Sequence, residues 1–145
     1  MKRILYLLPL VFAFTTGCGP KSAPAPNNIP EGTFSGKFKY IHEHAQTGAV
    51  DSSSAQIKLQ IGQSTFAVTG DTSTVHAGSF GTYEVNSYNT AIDFFDKTYP
   101  ITGTPTKFHL NGIYSYTYDG TNLHIIAFGA FDTLGYGYTL IKTGN

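Results

Sequence analysis

Tryptophan is missing from this 145-residue chain, cysteine and methionine occur once each, and the only arginine is Arg3. A single thiol excludes an internal disulfide framework. With no arginine after Arg3, the chain lacks the guanidinium forks that read phosphates and base edges, so no nucleic-acid partner is expected. Charge is sparse and balanced, with nine Lys or Arg against nine Asp or Glu. Leucine and glutamate are scarce and no 3.6-residue periodicity occurs, which excludes a helical domain. Abundant instead are sixteen glycines, eleven phenylalanines and ten tyrosines, together with Ser and Thr, the composition of short strands joined by tight turns. The length fits one domain after processing.

The one long apolar run is too short to span a membrane. Residues 4–14 are apolar, follow Lys2 and Arg3, and precede any acid, the first being Glu31. As a helix this stretch rises about 16 Å, roughly half the hydrocarbon thickness, so it reads as a secretory leader. Thr15-Thr16-Gly17-Cys18 follows and resembles the lipobox of bacterial lipoproteins. The resemblance implies cleavage after Gly17 and attachment of diacylglycerol and a palmitate-type chain to Cys18, which becomes the membrane anchor. Each buried methylene adds about 0.8 kcal/mol to such anchoring. The alternative is an ordinary leader cut at the same place, leaving a free thiol. Loss of Lys2 and Arg3 leaves seven basic and nine acidic residues, a net charge of −2. Residues 19–30 hold four prolines and form a tether that extends at about 3.1 Å per residue. The expected organisation is thus a signal peptide at 1–17, a lipidated Cys18 and tether at 18–30, and a domain at 31–145. Gly19 beside the lipidated cysteine implies, by the lipoprotein resemblance, the outer membrane, with its periplasmic and surface faces both open.

From Glu31 onward, period-two alternation predicts eight strands, near 33–43, 55–61, 64–69, 79–85, 90–95, 107–118, 121–128 and 134–142. Ser52-Ser53-Ser54 reads as a polar loop. Asp119-Gly120 offers a tight hairpin turn. Centred there, the turn pairs Tyr116 with Leu123, Tyr114 with Ile125 and Gly112 with Ala127, placing apolar residues of both strands on one side. Eight antiparallel strands with short connections predict an all-β fold, an up-and-down barrel that removes its own edges, with an open two-sheet sandwich as the alternative.

Gly81-Thr82-Tyr83, Ile92-Asp93-Phe94, the string Leu110-x-Gly112-x-Tyr114-x-Tyr116-x-x-Asp119-Gly120-x-x-Leu123 and the closing Tyr138-x-Leu140-x-Lys142 resemble the small lipocalin-like lipoproteins common in Bacteroidota. That resemblance covers about two thirds of the domain. It implies a calycin-type barrel and assigns no chemistry.

Candidate functional residues divide into polar groups and tyrosines. His42 and His44, two apart on one strand, face the same way and could grip a metal with a third ligand from a neighbouring strand. With no such ligand placed by the sequence, they read as exposed strand-end imidazoles, and neither metal nor cofactor is assigned. The same register sets His124 opposite Ser115, too far along the strand from His109 to share an ion. His76 reads as a solvated loop histidine. Asp93 and Asp96, with Glu84, could form a carboxylate pair of the glycosidase kind, but alternation points Asp93 to solvent and places Asp96 in turn bonding. No nucleophile elbow is present, so the expectation is a non-enzyme.

Phe38, Tyr40, Tyr83, Tyr114, Tyr116, Tyr136 and Tyr138 share phase with aliphatic residues and should point inward, where buried hydroxyls need partners. They are the candidate lining of a site for a small hydrophobic or amphiphilic ligand. The second expectation is a filled barrel serving as an interaction module, with an envelope protein as partner at the loops 69–78 or 98–106.

Overall fold

The computed structural model describes residues 28–129 and 134–145. The leader, Cys18 and residues 19–27 of the tether lie outside the described residues. Strands β1 (Gly32–Glu43), β2 (Val50–Ile61), β3 (Thr65–Gly70), β4 (Phe80–Val85), β5 (Ala91–Asp96), β6 (Gly112–Tyr118), β7 (Asn122–Phe128) and β8 (Leu134–Gly144) follow one another in the chain. Each pairs antiparallel with its sequence neighbour, and β8 pairs with β1 to close the barrel. No described helix occurs, and the lipocalin-like up-and-down form replaces the sandwich alternative.

Alternation explains the inside and the outside. Ile57, Leu59 and Ile61 of β2 are buried while Gln56, Lys58 and Gln60 are exposed. The same two-residue period buries Phe34 and Phe38 on β1, Ile92 and Phe94 on β5, Leu123 and Ile125 on β7, and Tyr138 and Leu140 on β8. These side chains meet across the lumen as one cluster. Full burial of each large apolar side chain is worth about 1.5–3 kcal/mol.

Three expectations change. The β6–β7 hairpin pairs Tyr116 with Ile125 and Tyr118 with Leu123, two residues out of the expected register, so His124 stands opposite Thr117. The cause is the Asp119 carboxylate, which accepts the Thr121 and Asn122 backbone N–H groups at 2.8 and 2.6 Å. That leaves Gly120, with φ +99°, as first of the two turn residues, a position suited to glycine. A shift of two residues preserves the face of every side chain. Ser52-Ser53-Ser54 belongs to β2, opposite Ile41, Tyr40 and Lys39, because the β1–β2 ladder runs past the end of the core. Residues 107–111 lie outside β6, and the backbone of Phe108 among them pairs with a loop instead, as described next.

Candidate functional site

Up-and-down connectivity sorts the loops between two ends. The short turns 62–64, 86–90 and 119–121 sit at the end from which the described termini leave, whereas 44–49, 71–79 and 97–111 gather at the other. At the termini end lies a polar recess of about 420 Å³ edged by Glu31, Gln60, Gln63 and Lys142. At the loop end, an aromatic recess of about 360 Å³ is lined by Tyr99, Phe108, His109, Asn111, Tyr114 and Tyr136, with Lys107 at its margin.

The part of this mouth formed by Lys107 and Phe108 is held by a clasp between two loops. Phe108 N–H donates to the Val75 carbonyl at 2.9 Å, and Ala77 N–H donates to the Phe108 carbonyl at 2.7 Å. Lys107 Nζ adds a 2.9 Å bond to the Thr72 carbonyl. Between those strands of bonds His76 is driven inward to complete burial, contrary to its reading as a solvated loop residue. Its Nδ1 lies 2.6 Å from the Ala77 carbonyl, an atom that can only accept, so Nδ1 carries the proton. Nε2 then accepts from the Tyr138 hydroxyl at 2.8 Å. The Phe38 ring meets the imidazole edge-on at 4.9 Å. Burial, opposed by the Ala77 hydrogen bond, lowers the His76 pKa below its ordinary value, so the ring is neutral at pH 7.

A second polar pair stands in the recess wall. Asp96, its side chain wholly buried, accepts from His109 Nδ1 at 2.6 Å through one oxygen. Through the other it accepts the Thr98 N–H and hydroxyl at 2.7 and 2.6 Å. The carboxylate holds the His109 ring through its Nδ1–H, and the ring lines the recess. Tyr99 covers the ring edge-on at 5.4 Å. The arrangement offers a ligand an imidazole nitrogen for hydrogen bonding against aromatic faces. Glu84 and Asp93, by contrast, are cross-strand partners in the outward phase of β4 and β5, so they do not face each other across a cleft.

Of the seven candidate lining residues, Tyr114 and Tyr136 border the recess. Phe38 and Tyr138 lie buried beneath it, and Tyr40 packs on Phe108 with ring centres 4.4 Å apart. Tyr83 and Tyr116 belong to the other half of the barrel, the Tyr83 hydroxyl donating to the Gly62 carbonyl at 2.8 Å. Burial holds the Tyr114 and Tyr138 hydroxyls well above the usual phenol range and raises Tyr83 to about 12. They act as neutral donors and not as bases. Cys18 lies outside the described residues.

Sequence reasoning missed Tyr99, His109 and the burial of His76. His109 carries a faint signal, an imidazole followed by an inward Leu110 within loop-flanked sequence. The Tyr99 and His76 contacts depend on loops meeting from distant parts of the chain. Ring contacts run without a break from Phe66 through Phe94, Tyr114, Tyr138, Phe38, Phe108 and Tyr40 to His42. No protein-family model matches this chain, and no curated protein or solved structure does so either.

Proposed function

We propose that this protein is a non-enzymatic, lipid-anchored protein of the cell envelope whose barrel takes a small hydrophobic or amphiphilic molecule at its loop end. The observation that carries the reading is the aromatic recess with a half-buried histidine, oriented by Asp96, in its wall. An apolar concavity with a few convergent polar atoms is the usual form of a small-molecule site. The filled lumen below limits the guest to one that lies in the mouth, with its polar group toward His109 and Asn111. The anchor rests on the lipobox resemblance at Cys18, and the outer membrane on the residue that follows it. With the tether leaving from the termini end, the mouth would face away from the bilayer.

A second reading, a non-catalytic interaction module for an envelope partner, draws on Ile101, which is 100% exposed in the 98–106 loop. Native mass spectrometry with solvent extraction separates the two. An equimolar extra mass of a few hundred daltons on the purified protein supports the carrier. A bare polypeptide mass that persists after incubation with envelope lipid extract rejects it and leaves the module, to be pursued by cross-linking from the 98–106 loop.

A further inference from the structure

We propose that the tip of the β1–β2 hairpin is a transition-metal site in which His42, His44 and Asp51 each offer one donor to a divalent cation of the zinc class. His42 and Asp51 are direct partners across the β1–β2 ladder, and opposed residues of an antiparallel pair hold their Cβ atoms about 5 Å apart. His44 lies one residue beyond the end of β1, and its ring centre is 4.4 Å from that of His42. One ring nitrogen from each histidine and one carboxylate oxygen all lie within 4.8 Å of one another. His44 Nε2 and Asp51 Oδ2 are already 2.7 Å apart.

Donors about 2.0–2.1 Å from a tetrahedral zinc stand roughly 3.3 Å from each other, so modest side-chain rotations close the set. The backbone beneath is fixed. His44 N–H donates to the Ala49 carbonyl at 2.8 Å, and the His44 carbonyl accepts from Thr47 and Gly48 at 3.1 and 2.8 Å. A hydrogen-bonded turn therefore presents the donors, and little chain entropy is lost on binding. Two imidazoles with one carboxylate suit zinc, nickel or copper, whereas calcium and magnesium prefer oxygen alone. The proton that His44 Nε2 now shares with Asp51 leaves to solvent or moves to Nδ1, and the freed lone pair binds the metal. Three protein donors leave a fourth position for water or an incoming donor.

The site is separate from the recess, so its occupancy does not depend on a guest there. The full chain, purified in mild detergent and stripped with EDTA, is titrated with Zn²⁺ by calorimetry and with Co²⁺ by visible absorption. One equivalent is expected, with His42→Ala, His44→Ala and Asp51→Asn each weakening it at least ~10-fold and His124→Ala leaving it unchanged. The three triad positions lie at a hairpin tip outside the core, and far-UV circular dichroism confirms that each variant keeps its fold. Absence of saturable binding to the unsubstituted chain, or an affinity in all three triad variants equal to that of the unsubstituted chain, overturns the proposal.

Discussion

The imidazole of His76 accepts a 2.8 Å hydrogen bond from the hydroxyl of Tyr138, a residue 62 positions away in the chain. The bond joins the loop after β3 to the inward face of β8 and seals the loop end of the barrel. Removing the hydroxyl by Tyr138→Phe leaves a buried lone-pair nitrogen with no donor. A loss of about 1–3 kcal/mol is expected in urea unfolding at pH 7.5. A loss below about 0.5 kcal/mol would show that the bond is replaced by water.

The same histidine makes the fold sensitive to mild acid. Burial lowers its folded pKa below 6.5, while the unfolded chain titrates near 6.5, so between those values the unfolded state binds more protons. Stability is complete above pH 6.5 and falls as pH drops toward the folded value, with a slope of at most about 1.4 kcal/mol per pH unit. His76→Phe should flatten that part of the profile. An unchanged slope in the variant would assign the acid sensitivity to another group.

Phe108 holds the clasp through its ring contacts with Phe38, Tyr40 and Tyr136 and through two backbone bonds. Phe108→Ala should cost about 2–4 kcal/mol, near the low end for a buried aromatic because the residue is only partly buried. Hydrogen exchange at Ala77 and at residue 108 should accelerate far more than in β2. Uniform acceleration over the whole barrel would mean that the clasp is not a separate unit.

Asp96→Ala removes the acceptor of three part-buried hydrogen bonds and should destabilise by about 2–4 kcal/mol. It also frees the His109 ring to turn. Any guest found in the recess should bind at least several-fold more weakly to His109→Leu than to the unsubstituted chain, measured below the melting range of the variant, which itself loses stability because the buried Asp96 carboxylate is left without its His109 donor. Equal binding would place the guest elsewhere.

At Gly36 an added Cβ would collide with the Thr139 carbonyl across the closing strand pair. Gly36→Ala is therefore expected to cost roughly 1–3 kcal/mol or more. Gly137→Ala, where the nearest atom is 3.2 Å away, should be milder. The reverse order in thermal melts would contradict the close approach of β1 and β8.

How far the sequence carries can be read from these residues. Parity is local, so the inward phase of Phe38, Tyr114 and Tyr138 follows from neighbours two places away, and even a two-residue register error at Asp119-Gly120 leaves every face correct. The burial of His76 is different in kind. Thr72, Ser73, Thr74 and Gly78 around it are ordinary loop residues, and its environment is supplied by Tyr138, Phe38 and Phe108 from three other segments. The Asp96–His109 bond likewise depends on how 97–108 folds back, which no alternation records. His42 and His44 were visible as a pair, but their third companion, Asp51, stands in a stretch whose serines conceal a strand.

The pairing of β1 with β8 joins positions about one hundred residues apart, while every other strand pair joins neighbours in the chain. Six hairpin contacts can therefore form as the polypeptide emerges, but the seventh and the closing pair both wait until the C-terminal strand is free. Until that moment β1 and β7 both present open backbone edges. A chain that has lost its last eleven residues would remain a curled sheet with two adhesive borders, and its fate would be decided by whichever other strand reached them first.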